Sequence, residues 1–199
     1  MSADTLKPQD RRQFLLEATV AVGAAYTAAT AYPFLSSMAP SERARAAGAP
    51  VEASIAGIAP GELKTVMWRG KPVWLLHRTS EMLAGLKEHN SLLSDPTSNN
   101  SLQPHYCDNV DRSSRPDMFV CVGICTHLGC SPKLRIDPGA KAELGASWPG
   151  GFFCPCHGSK FDLAGRVFKG VPAPTNLVIP PYRYISDTKL VIGENPKKT

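Results

Sequence analysis

The chain has no basic stripe interleaved with aromatic residues, which removes the electrostatic footprint of a nucleic-acid binder. Its net charge is a mild +5, from 22 basic against 17 acidic residues. Part of that excess sits at the N-terminus and in the tail Pro196-Lys197-Lys198-Thr199. No internal repeat is visible, so a solenoid is excluded. Charge is scarcest between Phe14 and Met38, where Glu17 is the one formal charge in 25 residues, a pattern foreign to a solvent-washed surface segment. Histidine is scarce as well, 5 in 199 residues, and cysteine numbers 6. His77, His89 and His105 are scattered and read as ordinary surface or loop histidines.

The remaining histidines and four of the cysteines fall into two short runs. The first is Cys125-Thr126-His127-Leu128-Gly129-Cys130, and the second is Cys154-Pro155-Cys156-His157-Gly158-Ser159. Thiolates and imidazoles both suit iron and zinc. Donors this close in sequence form a tight loop aimed at one point. Gly129 and Gly158 permit turns that a Cβ would obstruct, and Pro155 stiffens the second loop. Three assignments compete. A structural zinc site takes four such ligands in tetrahedral geometry, but neither run shows the usual C-x₂₋₄-C with H-x₃₋₅-H spacing. A six-ligand site is geometrically unfavourable. The third option is a [2Fe–2S] cluster with two cysteines on one iron and two histidines on the other.

Cys-Thr-His-Leu-Gly-Cys and Cys-Pro-Cys-His-Gly-Ser resemble the two cluster-binding loops of Rieske iron–sulfur proteins of quinol–cytochrome c reductases, the cytochrome bc1 complexes. Both boxes are complete and in the expected order. By motif position, the resemblance implies that Cys125 and Cys154 ligate one iron and His127 and His157 the other, around one Rieske-type [2Fe–2S] cluster. It also implies a disulfide between Cys130 and Cys156, a pair that Rieske ferredoxins and ring-hydroxylating oxygenases generally lack. A disulfide fits an oxidising compartment. Cys107 and Cys121 lie outside both boxes and read as buried thiols or a second bridge. In the family a serine in the second box donates to a bridging sulfide, and Ser159 matches it. A tyrosine two residues later donates to a ligand sulfur, but this chain has Phe161 there. The loss of that donor implies a potential in the lower part of the family's range. Gly170, Pro172 and Pro174, in Lys169-Gly170-Val171-Pro172-Ala173-Pro174, resemble the proline loop that covers the cluster.

Arg11 and Arg12, within Asp10-Arg11-Arg12-Gln13-Phe14-Leu15, resemble a twin-arginine export signal, an address read by a receptor. The apolar stretch that follows is longer than the roughly 7–15 residues of a cleaved signal. As a helix it spans about 37 Å, enough for a hydrocarbon core of about 30 Å. The expected organisation is a cytoplasmic segment over 1–13, a transmembrane anchor over 14–38 and a hinge linker over 39–50. Residues 51–199 form an all-β Rieske domain of stacked antiparallel sheets, with its cluster-binding part at about 119–175. Arg11 and Arg12 place the N-terminus in the cytoplasm, so the cluster domain lies on the periplasmic side of a bacterial inner membrane.

Alternation predicts strands at Val51–Ile58, Glu62–Trp68 and Lys71–His77, the last two a hairpin around Arg69-Gly70. Further strands are expected at Met118–Ile124, Gly151–Phe153, Arg166–Phe168, Leu177–Ile179, Tyr182–Ile185 and Lys189–Ile192. A helix is expected over Ser80–His89 with Ser80 as its cap, and a polar surface connection over 90–118. Residues 131–150 read as a loop without an assigned role.

The resemblance implies an electron-transfer subunit of a quinol–cytochrome c oxidoreductase. It would take one electron, with a proton, from ubiquinol, with His157 at the quinol contact, and pass the electron to cytochrome c1. The implied partners are cytochrome b, cytochrome c1, ubiquinol and the lipid bilayer, in a dimeric bc1 complex. The small Rieske subunit of an exported arsenite-oxidising enzyme resembles the chain in signal and boxes, but does not require a retained anchor.

Overall fold

A computed structural model describes residues 8–196; the lysines of the C-terminal tail and the first seven residues lie outside the described residues. The chain divides into two compact units, residues 1–46 and 47–199. The first is dominated by α1 (Pro8–Ser37), whose side chains are almost all exposed. It is long and apolar enough to cross a membrane. Its serine and threonine hydroxyls do not stay open. Thr19, Thr27 and Thr30 donate to the carbonyls of Leu15, Gly23 and Tyr26 one turn back, at 2.7, 2.8 and 3.0 Å. Ser36 and Ser37 bond back to Pro33 and Phe34. A threonine-rich helix that satisfies its own hydroxyls loses little when water is withdrawn. A short helix, α2 (Glu42–Ala47), occupies the middle of the expected linker.

The second unit holds three antiparallel sheets of three strands. β1 (Val51–Ser54), β9 (Lys189–Ile192) and β8 (Tyr182–Ser186) form one, in the order β1-β9-β8. β2 (Leu63–Trp68), β3 (Lys71–His77) and β4 (Met118–Val122) form the next. β5 (Lys133–Arg135), β6 (Gly151–Phe153) and β7 (Lys160–Phe161) form the third, in which the short central β6 pairs with both neighbours. Every residue of β4 is buried, as expected for an uninterrupted apolar run covered on both faces. Trp74 of β3 stacks on Phe152 of β6 with ring centres 5.0 Å apart, joining the second and third sheets through one apolar core.

Several expectations need correction. The first strand ends at Ser54. Helix α3 (Ser80–Glu88) is capped by Thr79, whose hydroxyl accepts from the Met82 N–H, and Ser80 is already helical. Neither Arg166–Phe168 nor Leu177–Ile179 is a strand. Their alternation records burial, while their backbone bonds scatter. Leu177 donates to Gly165, Ile179 to Leu102, and Val178 accepts from Val122. Val167 and Phe168 make only isolated bridges, to Phe161 and Leu93. The segment 131–150 is an ordered insertion that carries β5 and α4 (Ala140–Leu144).

The connection 90–118 is only partly a surface loop. Leu93, Cys107, Arg112 and Ser113 are buried in it. Arg112 donates to Gln103 Oε1 and to the carbonyls of Ala164, Gly165 and Leu177. Arg78 reaches the Leu163 carbonyl, and Arg166 forms a buried ion pair with Asp162 at 2.8 Å. Three buried guanidiniums thus converge on the turn 162–165. Burial lowers the pKa of Arg78 and of Arg112 to about 10, but their fixed donors satisfy carbonyls that no ladder reaches.

Candidate metal centre

β4 delivers the chain into the first cysteine–histidine loop, and β6 into the second. The end of β4 is fixed where Val122 donates to Val178 and Gly123 to Pro72, both at 2.8 Å. Each loop is then closed by the same pair of backbone bonds. In the first, Cys125 N–H donates to the Cys130 carbonyl (2.7 Å) and Gly129 N–H returns to Cys125 (3.1 Å). In the second, Cys154 N–H donates to Ser159 (2.8 Å) and Gly158 N–H returns to Cys154 (2.9 Å). Gly129 and Gly158 occupy the same turn position with φ of 85° and 77°, in open space, so backbone conformation rather than crowding requires glycine there.

The structure pairs the two predicted histidines with each other and buries the two predicted cysteines in one core. Cys125 and Cys154 are 3% and 2% exposed and belong to the same buried core. The imidazoles of His127 and His157 face each other edge to face with centres 4.9 Å apart, His127 half-buried and His157 exposed. Cys130 and Cys156 are joined as a disulfide that ties loop to loop. The Cys154 sulfur lies within 4.8 Å of both disulfide sulfurs, but those two are bonded to each other and do not make a three-thiolate site with it. Cys107 and Cys121 are buried free thiols, and Cys107 donates to the Tyr182 hydroxyl. Burial pushes the Cys125 thiol up; the His127 backbone N–H and the Ser159 hydroxyl pull the other way, and the neighbouring Cys154 adds to the rise.

Above the loops lies the segment 170–175. Its prolines, Pro172 and Pro174, and Gly170 are exposed, and Ala173 points inward and is buried. Ala173 N–H donates to Ser159 Oγ (3.1 Å), and the Thr126 hydroxyl donates to the Thr175 carbonyl (2.7 Å). Sequence reasoning missed Thr126 and Ala173. Their one signal is position: each stands inside a motif whose flanking residues draw the attention. Phe161 is wholly buried in the same apolar core as Cys125 and Cys154.

Over residues 108–183 the chain matches the family described as "Rieske [2Fe-2S] domain", and over residues 1–41 the family described as "Ubiquitinol-cytochrome C reductase Fe-S subunit TAT signal". It is 57% identical over 185 residues to the ubiquinol–cytochrome c reductase iron–sulfur subunit of Allochromatium vinosum, covering 93% of this chain and 89% of that one. The chain belongs to that family. The iron–sulfur subunit of Bradyrhizobium diazoefficiens is 42% identical, with 92% and 94% of the two chains covered. Among solved structures, one titled "Hyperthermophilic respiratory Complex III" is 26% identical with a TM-score of 0.46, covering 87% of this chain and 96% of that one.

Members of this iron–sulfur subunit family carry a [2Fe–2S] cluster in the Rieske domain. The donor set here fits that group. Two soft thiols lie buried side by side, and two imidazoles meet on the open side.

Proposed function

We propose that Cys125 and Cys154 hold one iron and His127 and His157 the other, and that the subunit carries electrons from ubiquinol to cytochrome c1. What supports this reading most is the pairing of two equivalent loops that bury their first cysteines together and oppose their histidines at 4.9 Å. When bound, the cluster supplies a one-electron couple whose reduction favours proton uptake by a ligand imidazole. His157, the exposed imidazole, takes the hydrogen bond of the quinol hydroxyl and accepts its proton. His127, half-buried, completes the ligand set. Ser159 gives its hydroxyl to the sulfur side, and the segment 170–174 excludes water from the loops. The second quinol electron goes to cytochrome b, outside this chain.

The helix α1 anchors the subunit in a bacterial inner membrane, with Arg11 and Arg12 read as the export address and the folded unit on the periplasmic side of a dimeric bc1 complex. Residues 39–50 act as a hinge between quinol and cytochrome c1. Adding or deleting a few residues in 39–48 slows turnover and leaves the isolated cluster spectrum unchanged; undiminished turnover rejects the hinge. The electron-transfer reading is tested by low-temperature EPR of reduced native membranes, with the quinone pool present and then extracted. A Rieske spectrum whose shape follows quinone occupancy is expected. A spectrum indifferent to quinone removes His157 from the quinol contact.

A further inference from the structure

The insertion 131–150 contains a small apolar core of its own. Trp148, only 4% exposed, packs with Leu93, Ala140 and Phe168, with Leu144 and Val171 against them. Val171 also packs against the main core, so it is shared between the two. The Trp148 ring lies 5.6 Å from that of Phe168, and its indole N–H donates to the Arg135 carbonyl at 2.9 Å. Lys160 donates to the Leu144 carbonyl at 3.2 Å and sits 5.8 Å from the Trp148 ring centre. Within the insertion, Arg135 pairs with Asp137 and Glu143. Phe168 and Lys169 are the last residues before the segment over the loops. They are clamped from the other side, where Ser94 donates to the Phe168 carbonyl and Lys169 N–H to Leu92.

The cover is therefore hung at three places. Thr126 holds its far end at Thr175, Ser159 its middle at Ala173, and Trp148 its near end through Phe168 and Val171. The first two ties are single hydrogen bonds. The third is apolar packing, to which the segment 131–150 contributes Trp148, beside the hydrogen bonds that hold Phe168 and Lys169 to Ser94 and Leu92.

We infer that the insertion exists to position the cover, and that Trp148 is the positioning residue that sets its height over the cluster loops. This rests on the reading of 170–174 as the cluster cover. Without the indole, Phe168 and Val171 lose their backing and the near end lifts. Ala173 then withdraws from Ser159 Oγ. That contact fixes the serine as an acceptor and leaves its hydroxyl hydrogen to donate on the cluster side. A freed serine spends less time donating to sulfur, and donors to sulfur favour the electron-richer, reduced state.

The test uses the full-length, cluster-loaded protein in membranes with Trp148→Ala and Trp148→Phe. Trp148→Ala is expected to retain a Rieske EPR signal, lower the midpoint potential and speed amide exchange at Gly170, Val171 and Ala173 several-fold. Trp148→Phe, which keeps a ring against Phe168, restores both readouts towards wild type. Wild-type potential and wild-type exchange in Trp148→Ala overturn the inference. If wild-type protein gives no Rieske signal, the cluster reading fails on its own. The exchange comparison then still decides whether Trp148 supports the segment. Should Trp148→Ala fail to accumulate, Lys160→Met loosens the same insertion. It is expected to move both readouts in the same direction by less, and no movement in either counts against the inference.

Discussion

In the loop 125–130 and the loop 154–159 the backbone makes the same two closing bonds, yet the side chains standing at equivalent positions differ. The third position is His127 in one and Cys156 in the other; the fourth is Leu128 against His157; the sixth is Cys130 against Ser159. A shift of one residue moves the imidazole from a half-buried place to an exposed one. Leu128, which stands where the second loop has its histidine, is 71% exposed. The third-position cysteine of the second loop reaches across to the sixth-position cysteine of the first and staples the pair. The sixth position of the second loop is thereby left for a serine, buried and bonded to the cover. One backbone design thus yields a stapled loop and a covered loop. The asymmetry lies in side chains alone.

The largest way to break the comparison is to remove a donor. Cys154→Ala, His127→Ala and His157→Ala each leave the protein without bound iron or labile sulfide by chemical analysis; a retained cluster in either histidine variant denies that position its ligand role. Next comes the staple. Cys130→Ser with Cys156→Ser opens a link of sequence separation 26. About 3 kcal/mol of stability should go with it, by loop-closure entropy. Thermal or urea-induced loss of the visible cluster absorption measures this, and an unshifted midpoint of unfolding would deny the staple its role.

A finer contrast sets Ser159→Ala against Thr126→Val. Each removes one tie to the segment 170–175, at a cost of about 1 kcal/mol. Only Ser159 also stands in the second box, where it is proposed to donate to cluster sulfur. Protein-film voltammetry should therefore show a lowered midpoint potential in Ser159→Ala and little change in Thr126→Val. Equal shifts would mean that the cover, not the hydroxyl, sets the potential. The smallest expected effect is that of Phe161→Tyr, which adds a donor within the core and raises the potential. A value that stays or falls removes position 161 from the tuning set.

Much of this architecture is readable in the chain. The hairpin Leu63–His77 and the terminal pair β8–β9 follow from alternation with a tight turn between apolar runs. The proposed site residues are readable because ligand chemistry concentrates in two boxes. The connection 90–118 is not readable, because its polarity imitates a solvated loop. Its buried Arg112 is satisfied in part by the carbonyls of Ala164 and Gly165, partners some fifty residues away in sequence. Likewise 177–179 alternates like a strand but bonds to three separate segments, a distinction that side-chain pattern alone does not carry. The insertion 131–150 has a strand too short and a helix too brief to show periodicity, and its purpose emerges only from the contacts of Trp148.

The most direct test of the central claim is pulsed EPR of the reduced protein with its histidines labelled with nitrogen-15. Two distinct strongly coupled imidazole nitrogens are the predicted result. A reduced cluster with no coupled imidazole nitrogen, or with one only, would contradict the assignment of both histidines to the same iron.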